Sequence, residues 1–290
     1  MNLKITRPPL VEVYQRMGKD INKASHQEMR SLVCAQCHVE YFFDNREGKQ
    51  KYLTFPWDSG FTVEAMERYY DAFAYADWVH SISKAPMIKA QHPDYEVFLL
   101  GVHYRSGLAC ADCHMPYRSE GGVKFTDHHI VSPLMYINRT CQVCHRESEE
   151  ELRNMVYERQ KAIKELRTIL EKELVYTNFE AEHAWDIGAT EKEMKPILNL
   201  IRQAQWRWDF AVAGHGNSFH APLETSRILA HGIYKAQEAR CLLTKTFAKY
   251  YNFDVNIPDI STKALAQKVI SLNMEKLKKE KEDFKKKPDS

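Results

Sequence analysis

Three segments of the 290-residue sequence repeat one spacing of reactive side chains: Cys34-Ala-Gln-Cys37-His38, Cys110-Ala-Asp-Cys113-His114 and Cys141-Gln-Val-Cys144-His145. This is the attachment pattern of c-type haem. Two thiols add to the two vinyl groups of one porphyrin edge, and the histidine that follows is held under the ring as an iron ligand. Zinc is the competing reading of any cysteine pair. It gives no reason for a histidine directly after every second cysteine. Disulfides within Cys-x-x-Cys pairs are more often redox-active than structural. Three repeats favour haem over both. The seventh cysteine, Cys241, stands alone in a helical pattern and reads as a small buried apolar residue.

The chain has 13 histidines, and three are spent on the motifs. A six-coordinate haem takes a second axial ligand, most often His or Met. His103 precedes the second motif. His128 and His129 lie between the second and third. His215 and His220 fall where Ala-Gly-His-Gly-Asn-Ser-Phe-His-Ala-Pro separates two helical patterns. Spacing alone does not choose among these, nor among the remaining histidines.

The elements that must carry these groups divide at Ser148. Residues 1–60 hold turn-like clusters around the first motif, with a short strand expected over 51–55. A helix is expected over 62–80, with Val63, Met66, Tyr70 and Phe73 on one face. Residues 81–147 read as irregular. From Ser148 the pattern changes to long amphipathic helices. Capping boxes at Ser148/Glu151 and Thr190/Glu193 start two of them. A third is expected from Leu223 to about Tyr250, and a fourth from Ser261 to about Lys286, ending in the Lys276–Lys287 charge run. The expected class is all-α, with a loop-rich haem-binding region over 1–147 and a long-helix region over 148–290, read as parts of one continuous domain. A loop-rich segment of this length needs something other than protein to fill its core.

Composition narrows the partners. Charged residues are 28% and hydrophobic residues 44%, the balance of a globular chain. A formal net charge of +2 gives no bulk attraction to nucleic acid. No apolar run is long enough to span a membrane. The first ten residues, MNLKITRPPL, have no apolar targeting segment and taken alone would place the chain in the cytoplasm. Covalent haem attachment outside the cytoplasm conflicts with that, so the natural start is expected to lie upstream.

Further segments carry a resemblance. They are Cys-Ala-Gln-Cys-His-Val-Glu-Tyr (34–41), Phe-Pro-Trp-Asp (55–58), Ser-Lys-Ala-Pro-Met-Ile-Lys-Ala-Gln-His-Pro (83–93), Cys-Ala-Asp-Cys-His-Met-Pro (110–116), Thr-Asp-His (126–128), Gln-Trp-Arg-Trp-Asp (205–209) and Pro-Asp-Ile-Ser-Thr-Lys (258–263). Spread over nearly the whole chain, they resemble the C-terminal part of the pentahaem cytochrome c nitrite reductases, the ammonia-forming enzymes of the periplasm. The resemblance implies six-electron reduction of nitrite to ammonium. It implies five haems c in the full protein, with the three motifs as its third, fourth and fifth sites, and a calcium ion. Tyr41 and His92 match its catalytic distal-pocket residues. Glu40 and Gln91 side chains and the Tyr41 and Lys89 carbonyls match its calcium ligands. His103 matches the distal ligand of the last haem and His128 that of the second. His220 is matched to the fourth, with His215 as the alternative. Implied partners are a redox donor protein, such as a membrane-bound quinol-oxidising cytochrome, and a second copy of the chain docked through the long helices. The family's catalytic haem hangs on Cys-x-x-Cys-Lys, which this sequence lacks. That motif, the second haem site, an active-site arginine and the histidine completing the third haem all belong upstream of the matching region. The chain therefore reads as the C-terminal portion of such an enzyme. The rival reading is a three-haem electron-transfer cytochrome without catalysis.

Overall fold

Ser25, Thr62, Ser148 and Thr190 each end a loop and begin a helix. Their hydroxyl oxygens accept the first-turn amides of Glu28, Ala65, Glu151 and Glu193, which have no partner inside the helix. The computed structural model describes residue 5, residues 7–46, residue 48, residues 51–270 and residue 279. They fall into two units, Met1–Asn252 and Phe253–Ser290.

The first unit opens with α1 (Pro8–Arg16) and α2 (His26–Ala35). A hairpin follows, β1 (Phe42–Asp44) against β2 (Tyr52–Thr54), with Phe43 opposite Leu53. Then come α3 (Val63–Asp71) and a second small hairpin, β3 (Trp78–Val79) against β4 (Pro86–Met87). Short helices α4 (Asp94–Leu99), α5 (Val102–Arg105) and α6 (Cys110–His114) lead to a third hairpin, β5 (Tyr117–Glu120) with β6 (Val123–Thr126). After α7 (Ile137–Thr140) the chain enters its three long helices: α8 (Glu149–Asp186), α9 (Glu191–Ala213) and α11 (Pro222–Tyr250). The single turn α10 (Asn217–His220) lies between the last two. In the second unit, α12 (Lys263–Val269) starts at a Thr262 cap. The rest of the helix expected over 261–286, with its charge run, lies outside the described residues apart from Lys279.

The molecule is mostly helical, as the patterning indicates, but the N-terminal region holds more helix than its turn-like clusters suggest. Pro8 and Pro9 open α1, where a missing amide proton costs nothing. Ser25 and Glu28 form a full capping box at the start of α2. The helix expected over 62–80 stops at Asp71. The chain reverses through Ala74 at φ 52°, and Arg202 of α9 holds the reversed segment by the Tyr75 carbonyl at 2.7 Å. Cys241 is exposed on α11 rather than buried, because the inward stripe of that helix runs through Ala236, Ala239 and Leu243.

The core joins the loop-rich segments to α9. Tyr70 lies 5.2 Å from Phe42 and 5.7 Å from Trp206 between ring centroids, and Trp57 lies 5.6 Å from Tyr95. α9 grips this region along one face. Trp206 Nε1 donates to the Val63 carbonyl at 3.0 Å, and Arg202 donates to the carbonyls of Tyr75 and Pro86. Arg207, buried beside them, pairs with buried Glu67 through two bonds of 2.9 and 3.0 Å.

Candidate functional site

All three motifs take the same local shape. The His38 amide donates to the Cys34 carbonyl at 3.0 Å and the His145 amide to the Cys141 carbonyl at 2.9 Å, while the second motif is itself the helical turn α6. A helical turn puts residues i, i+3 and i+4 on one face. Both thiols and the imidazole of each motif therefore point the same way, as attachment and ligation of one porphyrin require. The motifs also adjoin one another. The Cys34 thiol contacts that of Cys110, which lowers its pKa, and burial pushes Cys113 up to about 11 with the thiols of Cys141 and Cys144 adding to the shift.

Each motif histidine has a second imidazole within 6.4 Å between ring centroids, His92 in the case of His38, and the pairs made by His114 and His145 stand nearest to perpendicular. His114 lies 6.4 Å from His220 and His145 lies 6.3 Å from His103, between ring centroids, at 76° and 73°. A metal–imidazole nitrogen bond is about 2.0 Å, so two imidazoles on opposite sides of one ion put their centroids roughly 6 Å apart. Burial lowers the pKa of His114 and His103 and pushes His220 down to about 4. Burial thus favours the neutral ring in all three, the form that ligates. His220 Nδ1 is buried without a hydrogen-bond partner. Its seat is tight: a Cβ on Gly216 would meet the His220 ring at 2.3 Å, and one on Gly101 would meet the His220 carbonyl oxygen at 1.9 Å. These residues fit haem iron held between paired imidazoles.

His215 goes elsewhere. It is exposed, its ring 6.1 Å from that of His92. His38 lies 6.4 Å from the same His92 ring. Between them sits buried Asp94, whose Oδ1 accepts the Gly216 amide. Its Oδ2 has no hydrogen-bond partner and lies 3.7 Å from Nδ1 of both His38 and His215. A carboxylate behind an imidazole orients a ligating ring. Nothing in the local sequence marks Asp94 for this place, because α4 and the 214–216 loop meet only in the fold. His128 is exposed, and among the described residues no ring contact joins it to another imidazole. Its neighbour His129 is engaged by buried Asp127 at 2.9 Å.

Tyr41 and His92 come together at 6.1 Å between centroids. Glu40 ties their two strips. Its fully buried carboxylate accepts the Gln91 amide at 2.7 Å and the Tyr70 hydroxyl at 2.9 Å. Glu96, also fully buried, accepts the Glu40 amide at 2.8 Å and Trp57 Nε1 at 2.7 Å, and its Oε2 has no partner. Burial drives Glu40 well above the usual carboxylate range and Glu96 to about 8. Two buried carboxylates whose hydrogen-bond partners are all neutral form a site that a hard divalent cation would suit. Among the described residues, no group of three or more His, Cys, Asp and Glu side chains could hold a metal ion. Backbone carbonyls and Gln91 would have to complete the shell, which is how calcium is commonly bound.

The family model described as cytochrome c552 matches residues 1–290. The chain belongs to that family. Proteins named cytochrome c-552 from Bacteroides thetaiotaomicron and Porphyromonas gingivalis are 62% and 60% identical to it over 285 residues. Each alignment takes in 98% of this chain and 57% of the relative, so the chain spans a little over half the length of the relatives it matches. Among solved structures, the cytochrome c nitrite reductase of Desulfovibrio desulfuricans, described with two calcium sites, superposes with a TM-score of 0.78 at 34% identity. The match covers 87% of this chain and 57% of that one. The fold of this family member is thus that of a multihaem cytochrome c. Among its described residues, no helix is long and apolar enough to cross a membrane.

Proposed function

We propose that this chain supplies three haem c sites and the calcium-braced side of a nitrite pocket to an ammonia-forming cytochrome c nitrite reductase. The observation that carries the reading is the Tyr41–His92 pair, set on two strips that buried Glu40 joins.

Haem c, when bound, supplies the iron through which electrons move to the substrate. His38, His114 and His145 would hold the iron of their own motifs, and His220 and His103 would supply the second ligand at the second and third motifs. The facing geometry favours His220 over His215 for that role. His128 serves a haem attached outside these motifs. Tyr41 and His92 hydrogen-bond nitrite oxygens and deliver protons to them. Reduction of nitrite to ammonium consumes more protons than electrons, so donors that can be reloaded must stand beside the N–O bonds. Glu40, Gln91 and the carbonyls of Tyr41 and Lys89 would hold calcium, whose charge would favour an anionic substrate. Covalent haem attachment, a chemistry carried out outside the cytoplasm, supports a periplasmic location, where a redox donor protein would feed it. Met155, Tyr157 and Ile169 on α8 and Tyr234 on α11 remain exposed, apolar surface suited to a second copy of the chain.

The second reading is a non-catalytic electron-transfer cytochrome, for which the three motifs of this chain and their paired imidazoles would suffice. The two readings separate in the protein purified from its natural host. Nitrite-dependent ammonium formation that falls about a hundredfold or more in His92→Asn, at unchanged haem content, supports the reductase. An intact mass equal to this chain plus three haems, with no nitrite consumption, supports the carrier.

A further inference from the structure

The strip that carries Lys89, Ala90 and Gln91 is held in an unusual way. Three successive backbone amides donate to carboxylates from three different parts of the chain. The Lys89 amide donates to Asp77 Oδ2 at 2.7 Å, the Ala90 amide to Asp209 Oδ2 at 3.0 Å and the Gln91 amide to Glu40 Oε2 at 2.7 Å. The β3–β4 ladder that precedes the strip ends where the Asp77 amide meets the Met87 carbonyl at 2.9 Å. Beyond that point side-chain carboxylates take the place of a neighbouring strand.

Two of these carboxylates are themselves fixed. Asp209, 3% exposed on α9, also accepts the Lys89 ammonium at 2.5 Å and Gln205 Nε2 at 3.4 Å. Asp77 accepts the Tyr75 hydroxyl at 2.7 Å, and Arg202 of α9 holds both Tyr75 and Pro86 by their carbonyls. The strip is therefore referenced to α9 twice, directly through Asp209 and indirectly through Arg202 and Asp77. Amide-to-carboxylate bonds are charge-assisted and about twice as strong as neutral ones.

We infer that Asp77 and Asp209 are positioning residues that hold the Lys89–Gln91 strip by its amide protons, so that the Lys89 carbonyl, the Gln91 side chain and His92 are in place before the cation binds. The inference rests on the calcium reading above. The role assigned to Asp77 and Asp209 is to hold backbone amides, not to ligate the ion or bind the substrate. Their effect is preorganisation: a strip already ordered costs less to bind than one the ion must order.

The test uses the haem-loaded chain after removal of divalent ions with a chelator. Calcium binding is measured by titration calorimetry, and amide hydrogen exchange is followed over 86–92 in the calcium-free protein. Asp77→Asn and Asp209→Asn are each expected to weaken calcium binding by about 10-fold or more. Each also speeds exchange within 88–91, with the protection of α8 and α11 unchanged. The exchange readout is the one that a purely Coulombic effect of the lost charge would not move. Glu40→Gln serves as the ligand control and abolishes binding. Wild-type calcium affinity in both aspartate variants, with Glu40→Gln impaired, overturns the positioning role and leaves the calcium reading standing. No calcium uptake by the wild-type chain overturns the calcium reading, and unchanged exchange at 88–91 in the variants then overturns the clamp separately. If Asp209→Asn loses the haem spectrum, Asp77→Asn decides, since Asp77 is exposed and outside the core.

Discussion

Gly101 sits against the last residue of α10 with no room for a side chain. Its φ of −84° suits any residue, so conformational freedom is not what glycine provides there. What it provides is distance: an added Cβ would lie 1.9 Å from the His220 carbonyl oxygen, and a backbone atom cannot swing aside. Gly101→Ala must therefore displace the turn that presents His220 to His114. Overpacking of this kind costs about 1–3 kcal/mol. In the haem-loaded chain we expect a lower melting temperature together with loss of one low-spin bis-histidine signal in the electron paramagnetic resonance spectrum. A normal spectrum in that variant would detach His220 from the haem of the second motif. Glu67 makes a second residue-scale case. Arg207, 2% exposed, has Glu67 as its carboxylate partner, and its Nε donates to His231 Nδ1 at 3.1 Å. Burial holds the Glu67 pKa up, and the Arg207 pair offsets only part of that. Removing one member of a buried pair leaves the other uncompensated, at about 3–5 kcal/mol. Glu67→Leu should lower the urea midpoint accordingly, and a midpoint within error of the parent would show that Arg207 finds another partner.

Among the elements, the tie between α3 and α11 carries a pH dependence. Arg227 of α11 bonds Glu64 of α3 at 2.9 and 3.1 Å. Burial raises the Glu64 pKa, but the Arg227 hydrogen bonds and charge outweigh it, and the net shift is downward from 4.5. A carboxylate with a depressed folded-state pKa stabilises above its unfolded value and loses that contribution as pH falls through the folded value. The acid limb of melting temperature against pH should therefore be shallower below about 4.5 in Glu64→Gln, and an unchanged limb would remove this pair from the acid response. The long helices were legible because caps and stripes are local: Ser148, Thr190 and the Leu170–Leu174 side of α8 announce themselves. The start of α1 was hidden because Pro8 and Pro9 mark a helix start and a turn with equal force. The early end of α3 was hidden because Arg202, 127 positions away, holds the Tyr75 carbonyl. The site divides the same way. The motifs are set by spacing within five residues. The pairing of His114 with His220 exists only because α10 packs beside α4 and α8, and no periodicity records that.

At the scale of the molecule, the two halves bury apolar surface by different means. The long helices do it with protein: Leu170, Ile201, Leu229 and Leu243 are each fully buried. The stretch from 102 to 143 does so at few places, chiefly Ala109, Ala111 and Ile137. Val102, Val123, Ile130, Met135 and Val143 are all at least 65% exposed around the second and third motifs. A segment with so few protein contacts lies at the low end of local stability unless another apolar body covers it. The faces of attached porphyrins supply such a body, and hydrophobic burial scales with the area they cover. The expectation is that the haem-free chain keeps slow amide exchange over α8, α9 and α11 while residues 101–147 exchange rapidly, and that attachment of haem slows exchange over 101–147 selectively. Replacing Cys141 and Cys144 by alanine removes one attachment site and should return only the stretch around α7 to fast exchange. Equal protection of 101–147 with and without haem would show that the protein packs this region unaided.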